Sequence, residues 1–269
     1  MKYKGRLVLG FMLIAVFMLL PFSKVDAFRQ QKRDTVNLQT YIISDFGDYI
    51  DRERGTLWRV RFSRFAKPVD FTVENADPDP EACAGEYIQA KPMGLPQEQE
   101  ARQHWALGIK AQFIKQSYNW IELVPHKPTG ANAFPDDPMS PPNSQVESEV
   151  SSLDLFGIVH SLDIWVWGGN YRYWMEFHIR DFKGYMHRIQ VGDLNYIGWR
   201  NLRTNIPGHI PQAQYHVPFL QPLKLDIIKL WSYPTERVDQ FYAYFDYMQV
   251  QTDVHVERFD GDDLARKAW

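Results

Sequence analysis

An all-β fold, an antiparallel β-sandwich or jelly roll with few short helices, is predicted by three features of the sequence. Aromatic side chains make up 15% of its 269 residues, with 17 Phe, 14 Tyr and 9 Trp, and such residues fit a pleated surface better than a helix bundle. Apolar residues alternate with polar ones over short runs. Most connections between the later runs are too short for a crossover helix, so neighbouring strands must run antiparallel. The remaining composition, 45% hydrophobic and 23% charged, excludes disordered and collagenous classes.

The first 27 residues stand apart from the fold. Lys2, Lys4 and Arg6 form a basic start, Leu7 to Phe22 is almost wholly apolar, and Val25-Asp26-Ala27 offers small residues for processing. This reads as a cleaved secretory signal, leaving a single sandwich over 28–269 with no membrane anchor. Cleavage takes 30 basic and 33 acidic residues to 26 and 32, a net charge of −6. No basic stripe is left for nucleic acid or an anionic membrane. Cys83, the only cysteine, cannot close an intrachain disulfide and is expected as a free thiol, an interchain bridge being the alternative.

Along the mature chain, Tyr41-Ile42-Ile43 reads as a strand entering an Asp-rich turn at 45–51. Trp58 to Phe62 alternates, and Val69, Phe71 and Val73 continue the pattern as a further strand. A Pro-rich loop near 75–102 follows, with one helical turn over 97–102. Strands resume at Leu107–Phe113 and Tyr118–Val124, before a second loop over 125–152 carrying six prolines. Five strands then occupy Ile158–Trp167, Tyr171–Ile179, Tyr185–Val191, Leu223–Trp231 and Phe241–Gln251. The stretch 192–222 is a long connection whose Gly and Pro content argues against a crossover helix. No repeat of 20–50 residues suggests a propeller or solenoid.

The sequence contains no nucleophile elbow, phosphate-binding loop, HExxH or CxxC motif. Glu176 with Asp181, and Asp45, Asp48 and Asp51, are carboxylates that a glycoside hydrolase could pair, but acids beside turns more often bond backbone amides. Asp45–Asp51 and Asp260-Gly261-Asp262-Asp263 could ligate calcium, although neither has the full loop spacing. His160, His178 and His187 lie in successive strands and could converge across a sheet, where half-buried packing outweighs metal binding. No cofactor, metal or catalytic role is therefore expected.

The most distinctive segment is Ile164-Trp165-Val166-Trp167-Gly168-Gly169-Asn170-Tyr171-Arg172-Tyr173-Trp174. Alternation puts Ile164 and Val166 on an aliphatic face and Trp165 and Trp167 on an aromatic one, with Gly-Gly-Asn supplying a tight hairpin turn. The aromatic face can stack on sugar rings or meet a partner protein, or it can lie inside the sandwich.

The run Ser161–Tyr171, Asp181-Phe182-Lys183-Gly184, and Gly192-Asp193-Leu194-Asn195-Tyr196-Ile197-Gly198-Trp199-Arg200-Asn201-Leu202 resemble the spirochaete flagellar filament outer-layer proteins, the FlaA family. The resemblance continues through Ile206-Pro207, Ile210-Pro211-Gln212 and Tyr244-Phe245-Asp246 to about residue 265, beginning near 105. It implies a non-enzymatic sheath subunit of the periplasmic flagellar filament, coating flagellin core subunits beside other sheath proteins and contributing to filament shape, stiffness and motility. Trp165, Trp167, Tyr171 and Tyr173 are the expected partner-contact anchors, and Trp199 and Trp231 are expected in the core. The alternative is an exported carbohydrate-binding β-sandwich module.

Overall fold

The computed structural model describes residues 38–73, 76–102, 105–130, 132–137, 139–212, 214–215 and 220–253. The leader and the acidic run 260–263 lie outside them. In chain order the elements are β1 (Leu38–Ser44), α1 (Tyr49–Arg54), β2 (Leu57–Phe62), β3 (Ala84–Gln89), α2 (Gln97–Glu100), β4 (Trp105–Ala111), β5 (Trp120–Pro128), β6 (Ser148–Val150), β7 (Leu153–Leu155) and β8 (Ile158–Gly169). There follow β9 (Tyr173–Arg180), β10 (Met186–Asp193), β11 (Ile197–Asn205), β12 (Gln214–Tyr215), β13 (Leu220–Gln221), β14 (Leu223–Ser232) and β15 (Phe241–Asp253).

These strands form two antiparallel sheets packed as a sandwich. Sheet A has the order β11-β8-β15-β4-β3, with β1 added to the far half of β15. Sheet B has the order β10-β9-β14-β5-β2, with β6 on β5 and β7 on β14. Alternation decides which residues fill the space between them. Leu107, Ile109, Ile164, Val166 and Phe245 point inward from sheet A and meet Ile121, Leu123, Met175, Phe177, Ile179, Ile228 and Leu230 from sheet B. Each is at most 1% exposed, which is worth about 1.5–3 kcal/mol per side chain in removed apolar surface.

Two strands lie in stretches whose composition reads as loop. β3 falls inside 75–102 and β11 inside 192–222; both are edge strands of sheet A, where one side of the ladder is unpaired and apolar alternation is weak. Conversely, Val69, Phe71 and Val73 do not form a strand. Asp70 accepts hydrogen bonds from the Thr72 N–H and hydroxyl, both at 2.7 Å, and this local turn competes with any ladder. Their side chains are 63%, 69% and 55% exposed.

The Gly-Gly-Asn step is not a hairpin. β8 belongs to sheet A and β9 to sheet B, so residues 170–172 carry the chain from one sheet to the other. Only Asn170 of the three has positive φ, at 60°. Leu194–Tyr196 makes the reverse crossing from β10 to β11, and the two crossings pack side by side. The Asn170 N–H donates to the Tyr196 carbonyl at 2.7 Å, and the Leu194 N–H to the Tyr173 carbonyl at 2.8 Å. The true hairpin joins β9 to β10, where Gly184 has φ 89° in the Asp-Phe-Lys-Gly turn.

Loop 125–152 is shorter than its prolines suggest, because β5 runs on to Pro128 and β6 folds back against it. Its middle is held by arginines. Arg52 donates to the carbonyls of Pro135 at 2.8 Å and Ser140 at 2.6 Å, and Arg59 to those of Ser144 and Val146.

Candidate functional site

The outer faces of the two sheets differ in what they leave open. On sheet A, Trp199, Trp167 and Tyr244 are direct cross-strand partners on β11, β8 and β15, and Gly108 and Glu86 continue the row on β4 and β3. The rings of Trp167 and Tyr244 meet edge to face at 5.2 Å. A slot of about 160 Å³ lies beside Tyr244 and Gly108, lined also by Glu86, Ile88, Lys110 and Tyr242. A Cβ on Gly108 would stand 3.0 Å from Cδ1 of Tyr244, so only glycine lets the ring lie this close to β4.

On sheet B a second row, Trp120–Trp231–Trp174, crosses β5, β14 and β9. Here the polar groups are already engaged. Glu176 accepts the indole N–H of Trp174 at 3.1 Å and of Trp231 at 3.2 Å, with His178 Nε2 at 3.3 Å. The Lys229 ammonium lies 4.6 Å from the Trp120 ring centre and 4.3 Å from that of Trp231, and is paired with Glu122 at 2.8 Å. Ring faces capped in this way are a ladder that braces the sheet, not an open platform.

The four expected anchors are thus separated. Trp165 and Trp167 do lie on the outer face of sheet A, half-buried. Trp165, however, is roofed by the loop before α2: a Cβ on Gly94 would be 2.5 Å from its Cη2. Tyr171 and Tyr173 are corrections. Both turn inward at the sheet crossing and pack on Phe241, at 5.1 and 4.1 Å between ring centres, leaving 6% and 1% of their surface exposed. Side chains so enclosed cannot anchor a partner. Trp199 and Trp231 are corrected in the opposite sense, since both sit half-buried on outer faces.

The carboxylate candidates are likewise occupied. Asp181 caps the β9–β10 turn by accepting the N–H groups of Lys183 and Tyr185 at 2.8 and 2.9 Å, and it bonds His187 at 2.9 Å. Asp45, Asp48 and Asp51 are all buried. Asp45 accepts the N–H groups of Ile50 and Asp51, Asp48 that of Trp105, and Asp51 accepts from Ser44 Oγ, the Gly47 N–H and the Trp58 indole. This corner ties β1, α1, β2 and β4 together. Burial, with Asp45 nearby, drives the Asp51 carboxyl well above the usual carboxylate range; burial raises Asp45 too.

His160 lies on sheet A, apart from His178 and His187 on sheet B, so the three do not converge. Among the described residues no group of three His, Cys, Asp or Glu side chains is placed to hold a metal ion. The Cys83 thiol is buried, 3.3 Å from the Gln112 carbonyl, out of reach of a second chain.

The role of Glu176 is separable by substitution. Glu176→Ala strands two indole N–H groups and is expected to lower stability by about 1–3 kcal/mol in urea denaturation, whereas Glu176→Gln keeps an acceptor oxygen and costs less. Equal losses would disprove the bracing role.

Sequence reasoning missed the Gly108 slot because one of its walls, β3, lies in a Pro-rich stretch. The signal available was the alternation Glu86, Ile88 beside Gly108, Lys110.

Comparison with known proteins adds the following. A family model described as flagellar filament outer layer protein FlaA matches residues 80–260. A protein of Brachyspira hyodysenteriae described as flagellar filament outer layer-like is 23% identical over 165 residues, covering 61% of this chain and 65% of that protein's length. Among solved structures, TmCBM61 in complex with β-1,4-galactotriose has a TM-score of 0.35 at 12% identity, covering 76% of this chain and 97% of that one. The family 11 carbohydrate-binding module of the Clostridium thermocellum cellulase Lic26A-Cel5E has a TM-score of 0.39 at 8% identity, covering 82% and 99%.

Proposed function

This chain belongs to the flagellar filament outer layer protein family FlaA, and from that membership we propose that it is a structural, non-catalytic subunit of the sheath around a periplasmic flagellar filament. In this reading a secretory signal delivers the chain to the periplasm. There the sandwich lies against flagellin core subunits and neighbouring sheath proteins, and its repetition contributes to filament shape, stiffness and motility. The family match over two antiparallel sheets carries the reading. It accords with carboxylates that are engaged in structural bonds.

Repeated weak contacts suffice for such a coat, because each subunit bound to an array gains from its neighbours. The exposed tip Val69, Phe71 and Val73 suits one such contact. It is held in place by the Asp70–Thr72 turn and by the Val69 N–H donating to the Asp77 carbonyl at 3.0 Å, so little ordering is needed on docking.

Fractionation of flagella from the source cell tests the assignment: the chain should co-purify with the filament, and its recovery only in the culture medium would refute the sheath role. Phe71→Ser is expected to reduce co-sedimentation with filaments severalfold while shifting folding stability by less than about 0.5 kcal/mol. Unchanged co-sedimentation would remove the loop tip from the contact.

A further inference from the structure

We propose that the aromatic row on the outer face of sheet A, ending in the Gly108 slot, is a binding site for a flat, extended saccharide chain. Four observations carry this. The row Trp199–Trp167–Tyr244–Gly108–Glu86 crosses five strands, about 19 Å at ~4.8 Å per strand, long enough for a ligand of several linked rings. The slot, at about 160 Å³, is smaller than the ~300–1,000 Å³ of a drug-sized pocket and takes a single ring, with the rest of a chain lying along the row.

The polar lining points to a neutral, polyhydroxylated ligand. Glu86 accepts, Lys110 donates, and the hydroxyls of Tyr242 and Tyr244 do either, so neither sign of charge is favoured while hydroxyl groups find partners of both kinds. The direction of the row disfavours a peptide. An extended peptide gains its affinity from main-chain bonds at a sheet edge, but β8, β15 and β4 are interior strands whose backbone groups already serve the ladder. A saccharide crossing the strands brings its own hydroxyls and offers C–H faces to the rings. The row on sheet B lacks this capacity, since Lys229 and Glu176 engage its indoles.

Isothermal titration of the purified protein with cellotetraose and with tetra-N-acetylchitotetraose tests the site. Saturable binding of at least one is expected, weakened about tenfold or more in Tyr244→Ala. Trp199→Ala and Lys110→Ala, both at half-exposed positions, keep the test open if Tyr244→Ala fails to fold; each should weaken binding with an unchanged thermal midpoint. Absence of saturable binding to both probes, or equal binding by the wild type and the folded variants, would overturn the proposal. The site stands apart from the filament contact: Tyr244→Ala should leave co-sedimentation intact, and Phe71→Ser should leave saccharide binding intact.

Discussion

Replacing Asp51 by alanine is expected to remove about 3–5 kcal/mol of folding stability, a large share of the roughly 5–15 kcal/mol of an ordinary domain. Its Oδ2 accepts from Ser44 Oγ at 2.8 Å, the Gly47 N–H at 3.2 Å and the Trp58 indole at 3.3 Å, all inside the protein. Removing the carboxyl withdraws a shared acceptor from all three and leaves a void beneath Trp58, which stacks on Phe46 at 4.9 Å. A loss below about 1 kcal/mol in the urea midpoint would show that these donors find other partners.

Asp51→Asn separates shape from charge. Burial and the neighbouring Asp45 raise the folded-state pKa of Asp51, so above the ordinary carboxylate value of ~3.9 the folded state holds more protons than the unfolded one. Stability contributed by this group is therefore complete below that value and declines as pH rises toward the raised folded pKa, by at most about 1.4 kcal/mol per pH unit. Asparagine does not titrate. The variant should gain on the wild type as pH rises through this window, and parallel stability curves would refute the assignment. Asp45, also raised by burial, slopes the same way and remains in both proteins.

The acidic corner marks where sequence stops informing. Four Asp or Ser positions in Ser44–Asp51 announce a turn, but a turn's depth depends on what folds over it, here β2 and β4 from elsewhere in the chain. Strands such as β8, β9 and β14 were legible because their inward residues alternate against a thick core. Edge strands β3 and β11 were not, since an edge is defined by its neighbours and not by its own pattern. The Val69–Val73 run shows the converse: a period of two is necessary for a half-buried strand, yet Asp70 satisfies the local N–H first. For the anchors, the face of Trp165 and Trp167 followed from alternation. The inward turn of Tyr171 and Tyr173 did not, because it depends on the chain changing sheets over residues 170–172.

That change of sheets yields the second large effect. Gly168→Val is expected to cost about 3 kcal/mol or more, although Gly168 does not need positive φ. The constraint is contact: a Cβ there would stand 2.8 Å from the Tyr196 carbonyl oxygen, 3.0 Å from that of Leu194 and 3.0 Å from Tyr196 Cε2. Two of these three atoms are backbone, so rotation of a side chain cannot relieve the overlap. The crossings must part, straining the bonds from Asn170 to Tyr196 and from Leu194 to Tyr173, which together place Tyr173 against Phe241 in the core. Gly208→Ala is the matched control: nothing lies within 4 Å of its added Cβ, and a change under about 0.5 kcal/mol is expected. If thermal melts shift equally in the two variants, the paired crossings do not hold the sheets together. If only Gly168→Val shifts, Gly-Gly-Asn is the joint through which the aromatic face of sheet A and the braced face of sheet B are fixed as two sides of one sandwich.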